Sequence, residues 1–196
     1  MPVLENAALD QIFRKARTYN GYTDTPVATD ELHALWDLMK WAPTSANQMP
    51  ARLVWCTTDE SKAKLADCVS AQNAPKILNA PVSVIIGMDR EFHEHLPTLF
   101  PHVDAKAWFD GNADLRAASA FRNSTLQGAY FIIAARALGL DTGPMSGFEA
   151  GKIDAAFFAE TPAVTTNFIS TLGHGDPATI FDRSPRPDFE TFNTIV

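Results

Sequence analysis

A chain of 196 residues has the length of one domain, spanning 1–196, and its 46% hydrophobic content is enough for a substantial core, which excludes a disordered chain. The formal charge of −7 argues against nonspecific binding to nucleic acid or to an acidic membrane, while leaving room for a local basic pocket. Cys56 and Cys68 form no CxxC pair, the start Met1-Pro2-Val3-Leu4-Glu5-Asn6 lacks the basic end and apolar run of a signal peptide, and no apolar run could span a bilayer; a reduced, cytoplasmic protein is expected.

Leu9, Ile12, Phe13 and Ala16 follow helical spacing and predict an amphipathic helix over 4–18. Gly21 can stop it, and Asn20 tolerates a left-handed conformation. Arg17, Thr18 and Asn20 near its end could hold a phosphate through a guanidinium fork and neutral donors, or could simply be an exposed helix end. Thr29 or Asp30 can cap the next helix, in which Leu32, Leu35, Trp36 and Met39 form a buried stripe at i, i+3, i+4 and i+7.

That helix leads into Trp41-Ala42-Pro43-Thr44-Ser45-Ala46-Asn47-Gln48-Met49-Pro50. Two prolines stiffen this stretch, and its hydroxyls and amides offer donors and acceptors to a polar ligand; a helix-to-strand connection would have the same composition. Leu53-Val54-Trp55-Cys56-Thr57 reads as a strand, and a short helix follows over 60–69. In Asn73-Ala74-Pro75-Lys76, an amide and an ammonium three residues apart can meet one ligand if Pro75 opens a helical turn. Val82-Ser83-Val84-Ile85-Ile86 reads as a buried strand.

The region 91–114 is irregular and aromatic. Phe92, Phe100, Trp108 and Phe109 either cover a core or form a mobile lid over a planar ligand. His93, His95 and His102 fall here without Cys₂His₂ or HExxH spacing, so no metal site is expected. The longest helix is predicted over 113–138, with Leu126, Ala129, Tyr130, Ile133 and Ala137 on one face and an apolar second half. Such a helix is buried in a core or in a subunit interface. Gly139 is a natural residue to end it.

Gly139-Leu140-Asp141-Thr142-Gly143-Pro144-Met145-Ser146-Gly147-Phe148 reads as a glycine-rich loop that permits close backbone approach, and it is neither GxGxxG nor a P-loop. A short helix over 149–158 and a strand over 164–170 follow. Arg183-Ser184-Pro185-Arg186-Pro187 places two guanidinium groups in a stiff tail, as a phosphate partner or as a solvated end.

In this order the segments resemble the nitroreductase family of flavin-dependent oxidoreductases over nearly the whole chain. The most specific parts are Lys40-Trp41-Ala42-Pro43-Thr44-Ser45-Ala46-Asn47 and the stretch from Ala137 to Phe148. With Leu99-Phe100-Pro101-His102 and Phe121-Arg122-Asn123-Ser124, the chain is similar to the HadB/RutE branch, whose named role is malonic semialdehyde reduction in pyrimidine catabolism. The resemblance implies an α+β fold, with a central mixed or antiparallel sheet surrounded by helices, and an intertwined homodimer with one FMN in each of two interface pockets.

The resemblance also implies residue roles. Arg17, Thr18 and Asn20 would contact the FMN phosphate and ribityl chain. Pro43, Thr44, Ser45 and Asn47 would form the flavin loop. Asn73 and Lys76 would lie near the ring, and Pro144, Met145, Ser146 and Gly147 would form the loop whose backbone, at Ser146 and Gly147, positions flavin N5. Arg183 and Arg186 would be C-terminal phosphate contacts. The chain departs from the family pattern at Ala16 and Asn20, which weakens the phosphate electrostatics, and at Ser146, which removes a carboxylate beside the flavin. The implied reaction is ping-pong hydride transfer from NADH or NADPH through FMN, with no separate catalytic side chain. The acceptor is a small molecule: malonic semialdehyde, or nitro and quinone compounds for a general reductase. A non-catalytic flavin-binding dimer is the alternative from another class. Arg122, Arg116 and Lys106 are the candidate cations for an acceptor carboxylate.

Overall fold

The computed structural model describes residues 2–196. The sheet has four strands: β1 (Ala51–Cys56), β2 (Val82–Asp89), β3 (Asp141–Met145) and β4 (Val164–Gly173), in the order β1-β2-β4-β3. All three pairings are antiparallel, with Leu53 opposite Ile86, Ile85 opposite Ile169, and Pro144 opposite Ser170. Of the two sheet types expected, the antiparallel one is present. The parallel element is a single bridge between Thr18 and Thr142 outside the strands.

Side chains alternate across a strand, so β2 feeds two cores. On one face Val82, Val84 and Ile86 pack with Leu172 against Leu32, Leu35 and Met39 of α2 (Thr29–Met39) and Phe131, Ala134 and Ala135 of α6 (Ala113–Ala137). On the other face Ile85 and Ile169 pack with Cys56, with Leu65 of α3 (Asp59–Ala66), Ile77 of α4 (Ala74–Asn79) and Ile153 of α7 (Ala150–Phe157). Burying each such Leu, Ile or Phe stabilises the fold by roughly 1.5–3 kcal/mol before ordering costs. A third, smaller cluster joins Phe92, Leu96, Ala105 and Phe109 to Ala120 of α6.

Several expected boundaries move for identifiable reasons. The first helix is shorter than 4–18. It comprises α1 (Asn6–Leu9), then one π turn to Arg14, where Lys15 N–H donates to the Asp10 carbonyl at 2.8 Å. None of its residues is fully buried: Leu9, Ile12 and Ala16 of the expected stripe are half-buried and Phe13 is exposed. The cap of α2 is Ala28 rather than Thr29 or Asp30, because the Glu31 carboxylate reaches back to the Ala28 N–H at 2.8 Å. Trp36, expected in the buried stripe, is 38% exposed. α3 begins at Asp59, one residue before expectation, where Thr58 and Ser61 cap each other reciprocally.

The largest correction concerns 139–148. Gly139, with φ 78°, ends α6 as expected, but Asp141–Met145 is the edge strand β3 rather than loop. Pro144 has no N–H to donate, and the sheet edge tolerates it. Of the two placements expected for the apolar face of α6, a core within the chain is not observed: Leu126 and Tyr130 are 44% and 37% exposed, and Ala129 and Ala137 are exposed beside them. The face that packs inward carries Ser119, Asn123, Ser124, Gln127, Gly128 and Phe131. Gly128 lets α6 lie on the sheet, since a Cβ there would come within 2.4 Å of the Phe168 ring.

Beyond β4 the chain turns through Pro177–Thr179 and runs out along 181–196. This arm is exposed throughout, with Phe181, Phe189 and Phe192 among its uncovered side chains, and its short helix α8 (Phe189–Phe192) buries nothing. Among the described residues no helix is long and apolar enough to cross a membrane. Cys56 and Cys68 are free and buried, and burial pushes the Cys56 thiol up to about 11.

Candidate active site along the outer edge of β3

The outer edge of β3 brings two groups of residues into line. At its start the segment after the first helix crosses it: Thr18 bridges Thr142, and Tyr19 N–H donates to the Thr142 carbonyl at 3.2 Å. Here Arg17, Thr18, Asn20, Arg183 and Arg186 line one cavity of about 460 Å³. The arm folds back to make it. Arg17 donates to the Phe181 carbonyl, Arg183 to the Ala16 carbonyl at 2.9 Å, and Asn20 to the Thr179 carbonyl at 3.2 Å. Arg186 donates to the carbonyls of Ser184 and Pro185. Where Ala16 supplies no guanidinium of its own, Arg183 covers its carbonyl.

Arg136, near the end of α6, is the member of this cavity that the sequence reasoning missed. It donates to the Ile12 carbonyl at 3.1 Å, and its Nε is buried without a partner. Burial lowers its pKa from the ordinary arginine value, with Asp141 opposing that shift and Arg183 adding to it. Its signal in the sequence was a lone guanidinium in the apolar run Ala134-Ala135-Arg136-Ala137. Among the described residues none of Arg17, Arg136, Arg183 and Arg186 forms an ion pair within 4 Å. Four such charges lining one cavity of an acidic protein, with Asp182 as the carboxylate beside them, favour an anion.

At the other end of β3, Ser146 and Gly147 are pinned to the start of α4. The Gly147 carbonyl accepts from Asn73 Nδ2 at 3.1 Å and from Ser70 N–H at 3.0 Å. A Cβ on Gly147 would sit 2.7 Å from Asn73 Nδ2, so the contact requires glycine. Pro75 opens α4 as expected, and Lys76 lies in that first turn; among the described residues it has no ion pair or side-chain hydrogen bond. Asn73 thus meets Gly147 of the 144–147 stretch directly, with Lys76 three residues further along α4. Thr142 and Gly147 are five residues apart, roughly 16 Å in extended chain.

The third expected group stands apart. Pro43, Thr44, Ser45 and Asn47 lead into β1, and their loop lies against α6 at Asn123 and against the Leu99 carbonyl. Asn123 and Arg136 are thirteen residues apart on that helix, about 20 Å. Among the described residues this loop shares no cavity or hydrogen bond with the other two groups.

Part of the aromatic segment covers a core, as one of its two readings expects. Phe92 and Phe109 are core, in edge contact at 4.9 Å, while Trp108 is exposed and tilts against the half-buried Phe100. Two of the three candidate cations for an acceptor are already committed here. Arg116 pairs with Glu91 at 3.1 Å, and Lys106 with Asp110 at 2.7 Å and Glu94 at 3.3 Å. Arg122 is exposed on α6 and forms no such pair among the described residues.

Residues 13–173 match the model of the nitroreductase family. The chain belongs to that family. Two curated relatives agree with this assignment. A Xanthomonas oryzae pv. oryzae protein, provisionally named NADH dehydrogenase/NAD(P)H nitroreductase, is 59% identical over 95% of each chain. A Burkholderia lata protein with the same provisional name is 58% identical over the full length of both. The fold is also that of a provisionally named nitroreductase from Exiguobacterium sibiricum, solved in complex with FMN. It superposes with a TM-score of 0.85 at 19% identity, covering 100% of this chain and 99% of that one. The outer edge of β3 and the loop at 43–50 are two parts of this chain that offer polar groups to a ligand.

Proposed function

We propose that this protein is an FMN-dependent NAD(P)H oxidoreductase that works as a homodimer. The observation that carries the reading is the arrangement along β3: a cavity with four unpaired guanidinium groups at one end and the Asn73–Gly147 contact with Lys76 at the other. That spacing suits a phosphate, a ribityl chain and a planar ring laid along one strand. Arg17, Thr18, Arg136, Arg183 and Arg186 would hold the phosphate, with Asn20 bracing the arm through Thr179. The orphaned Nε of Arg136 and the tight cradle at Gly147 both fit such a ligand. The names of the curated relatives support NADH or NADPH as the donor.

When bound, FMN supplies two-electron hydride chemistry, in one half-reaction with the nicotinamide and in the next with the acceptor. The chain contributes position and charge. The Gly147 carbonyl is held by Asn73 and Ser70, which would fix the backbone beside a bound ring. The Lys76 ammonium, in the first turn of α4, would favour negative charge on a reduced ring held there. Thr44, Ser45 and Asn47, about 20 Å from the arginine cavity along α6, reach the same ligand if the loop comes from the second copy. The exposed apolar faces of the first helix and α6 support that assembly.

The narrower assignment, reduction of malonic semialdehyde as in the HadB/RutE branch, rests on the sequence resemblance. It requires a cation for the substrate carboxylate, and with Arg116 and Lys106 paired, Arg122 is the residue for that role. The deciding experiment is the visible spectrum of the purified protein before and after anaerobic NADH or NADPH, followed by a panel of acceptors. A yellow protein that bleaches is expected. Bound FMN that neither nicotinamide reduces would favour the non-catalytic carrier, and colourless protein that takes up no FMN would remove the flavin reading. Turnover of malonic semialdehyde no better than of quinones or nitroaromatics would leave a general reductase.

A further inference from the structure

The loop that offers Thr44, Ser45 and Asn47 has an unfavourable backbone. Ala46, Asn47 and Met49 have φ of 48°, 48° and 40°, the left-handed region that side-chain-bearing residues avoid. Pro43 and Pro50 stiffen the flanks, and the turn closes locally, with Asn47 N–H on the Thr44 carbonyl, Gln48 N–H on the Ser45 carbonyl and Met49 N–H on the Thr44 hydroxyl. A further constraint comes from α6. Ser119, Asn123 and Gln127 recur every four residues and are all buried, an unusual polar stripe on an inward face. Asn123 Oδ1 accepts the Ser45 N–H at 2.8 Å, while its Nδ2 donates to the Ser119 carbonyl at 2.9 Å. Gln48, which has no exposed surface, exchanges two hydrogen bonds with the Ser119 hydroxyl, at 3.0 and 3.1 Å. A buried amide or hydroxyl without a partner is costly, so these pairings select one loop conformation.

We propose that Asn123 is a positioning residue for the flavin site: by holding the Ser45 N–H, it keeps the Thr44–Asn47 loop in the left-handed form that presents its side chains to FMN. This rests on the FMN reading above. Since the Ser45 N–H is occupied, the ligand meets side chains. The Thr44 hydroxyl accepts the Met49 N–H at 3.2 Å and keeps its own hydrogen to donate. The Asn47 Nδ2 goes to the Leu99 carbonyl at 2.9 Å, which leaves its Oδ1 to accept. The exposed Ser45 hydroxyl has no partner among the described residues. Two hydroxyls and one amide oxygen are thus set in place before binding, which lowers the ordering cost of holding a ligand.

The test compares Asn123→Ala with Gln127→Ala. Gln127 Oε1 accepts the Ala51 N–H at 2.8 Å, at the start of β1 and outside the strained turn. Each change deletes one buried acceptor of a backbone N–H, so each lowers the melting temperature. Asn123→Ala is expected to raise the Kd for FMN about tenfold, the loss of roughly one hydrogen bond's worth of ordering. It should also shift the visible flavin band and speed hydrogen exchange at the Ser45 amide, while Gln127→Ala leaves Kd and band unchanged. Equal loss of FMN in both variants, or an unchanged Kd and band in Asn123→Ala, overturns the proposal. If Asn123→Ala does not fold, Ser119→Ala, which frees Gln48, is expected to act in the same direction, and an unchanged Kd there overturns it too. If the unsubstituted protein takes up no FMN, the flavin reading falls separately. Ser45 exchange in the ligand-free protein then decides on the clamp: faster exchange confined to Asn123→Ala keeps it, and equal exchange overturns it.

Discussion

Arg136 shows how much a single residue's setting matters. Its guanidinium lies beside Arg17, Arg183 and Arg186 with Nε unsatisfied. Clustered like charges repel, and burial adds to the cost, so the site is poised to gain from an anion that supplies both charge and acceptors. Replacing Arg136 with Met keeps the aliphatic stem and removes the charge. Charge-assisted hydrogen bonds contribute roughly 1.5–3 kcal/mol, so a rise of about tenfold or more in the Kd for FMN is expected. Riboflavin, which lacks the phosphate, should be nearly unaffected, and the FMN effect should shrink at high salt. Fluorescence titration with both flavins checks this, and equal losses for the two would mean that Arg136 does not act on a phosphate. The arginines at 17, 183 and 186 were legible in the sequence because each stands in a polar, turn-rich segment. Arg136 was not, because a guanidinium in an apolar helix reads as an exposed residue until the fold buries it.

Among the elements, α6 decides the most. Its inward face packs Phe131 and Ala135 into the core, and further towards its start it meets the 43–50 loop with amides and hydroxyls. The close approach to β4 rests on Gly128, whose missing Cβ makes room for the Phe168 ring. Gly128→Ala is expected to destabilise the protein by about 1–3 kcal/mol, the usual cost of overpacking, despite the better helix propensity of alanine. Urea unfolding measures it, and an unchanged midpoint would show that the helix can shift without cost. Periodicity gave the limits of α6 within one residue but left open whether its apolar face meets a core or a second subunit. Leu126, Tyr130 and their neighbours form the more apolar stripe, and hydrophobicity alone cannot distinguish a face that meets the subunit's own sheet from one that remains uncovered in it.

At the scale of the whole molecule, the uncovered surfaces bear on the proposed dimer. The first helix fully buries none of its residues, α6 exposes Leu126 and Tyr130, and the arm at 181–196 exposes three phenylalanines. Apolar surface of this extent is uncommon on a monomer. The expected state is a dimer, and Leu126→Asp, a charge placed in the middle of the α6 face, is expected to halve the mass in sedimentation and to release FMN in the same step, since the proposed site is shared. A variant that stays dimeric with its flavin, or an unsubstituted protein that is monomeric and fully loaded, would refute a shared site.

The sequence by itself determined where three of the four strands and the long helices lie, the α+β class, the family, and the residue types grouped at 17–20, 73–76, 144–147 and 183–186. These depend on local composition, spacing and turn chemistry, which are readable in one dimension. Only the tertiary structure decided that 141–145 is an edge strand, that Arg136 joins the arginine cavity, that the polar face of α6 turns inward, and that the 43–50 loop stands about 20 Å along α6 from that cavity. Each of these depends on which segments meet across tens of residues or more, as β3 meets β4, Ser45 meets Asn123 and Arg136 meets Ile12. Such contacts are fixed by packing and by the need to pair buried polar groups, and no local pattern encodes them.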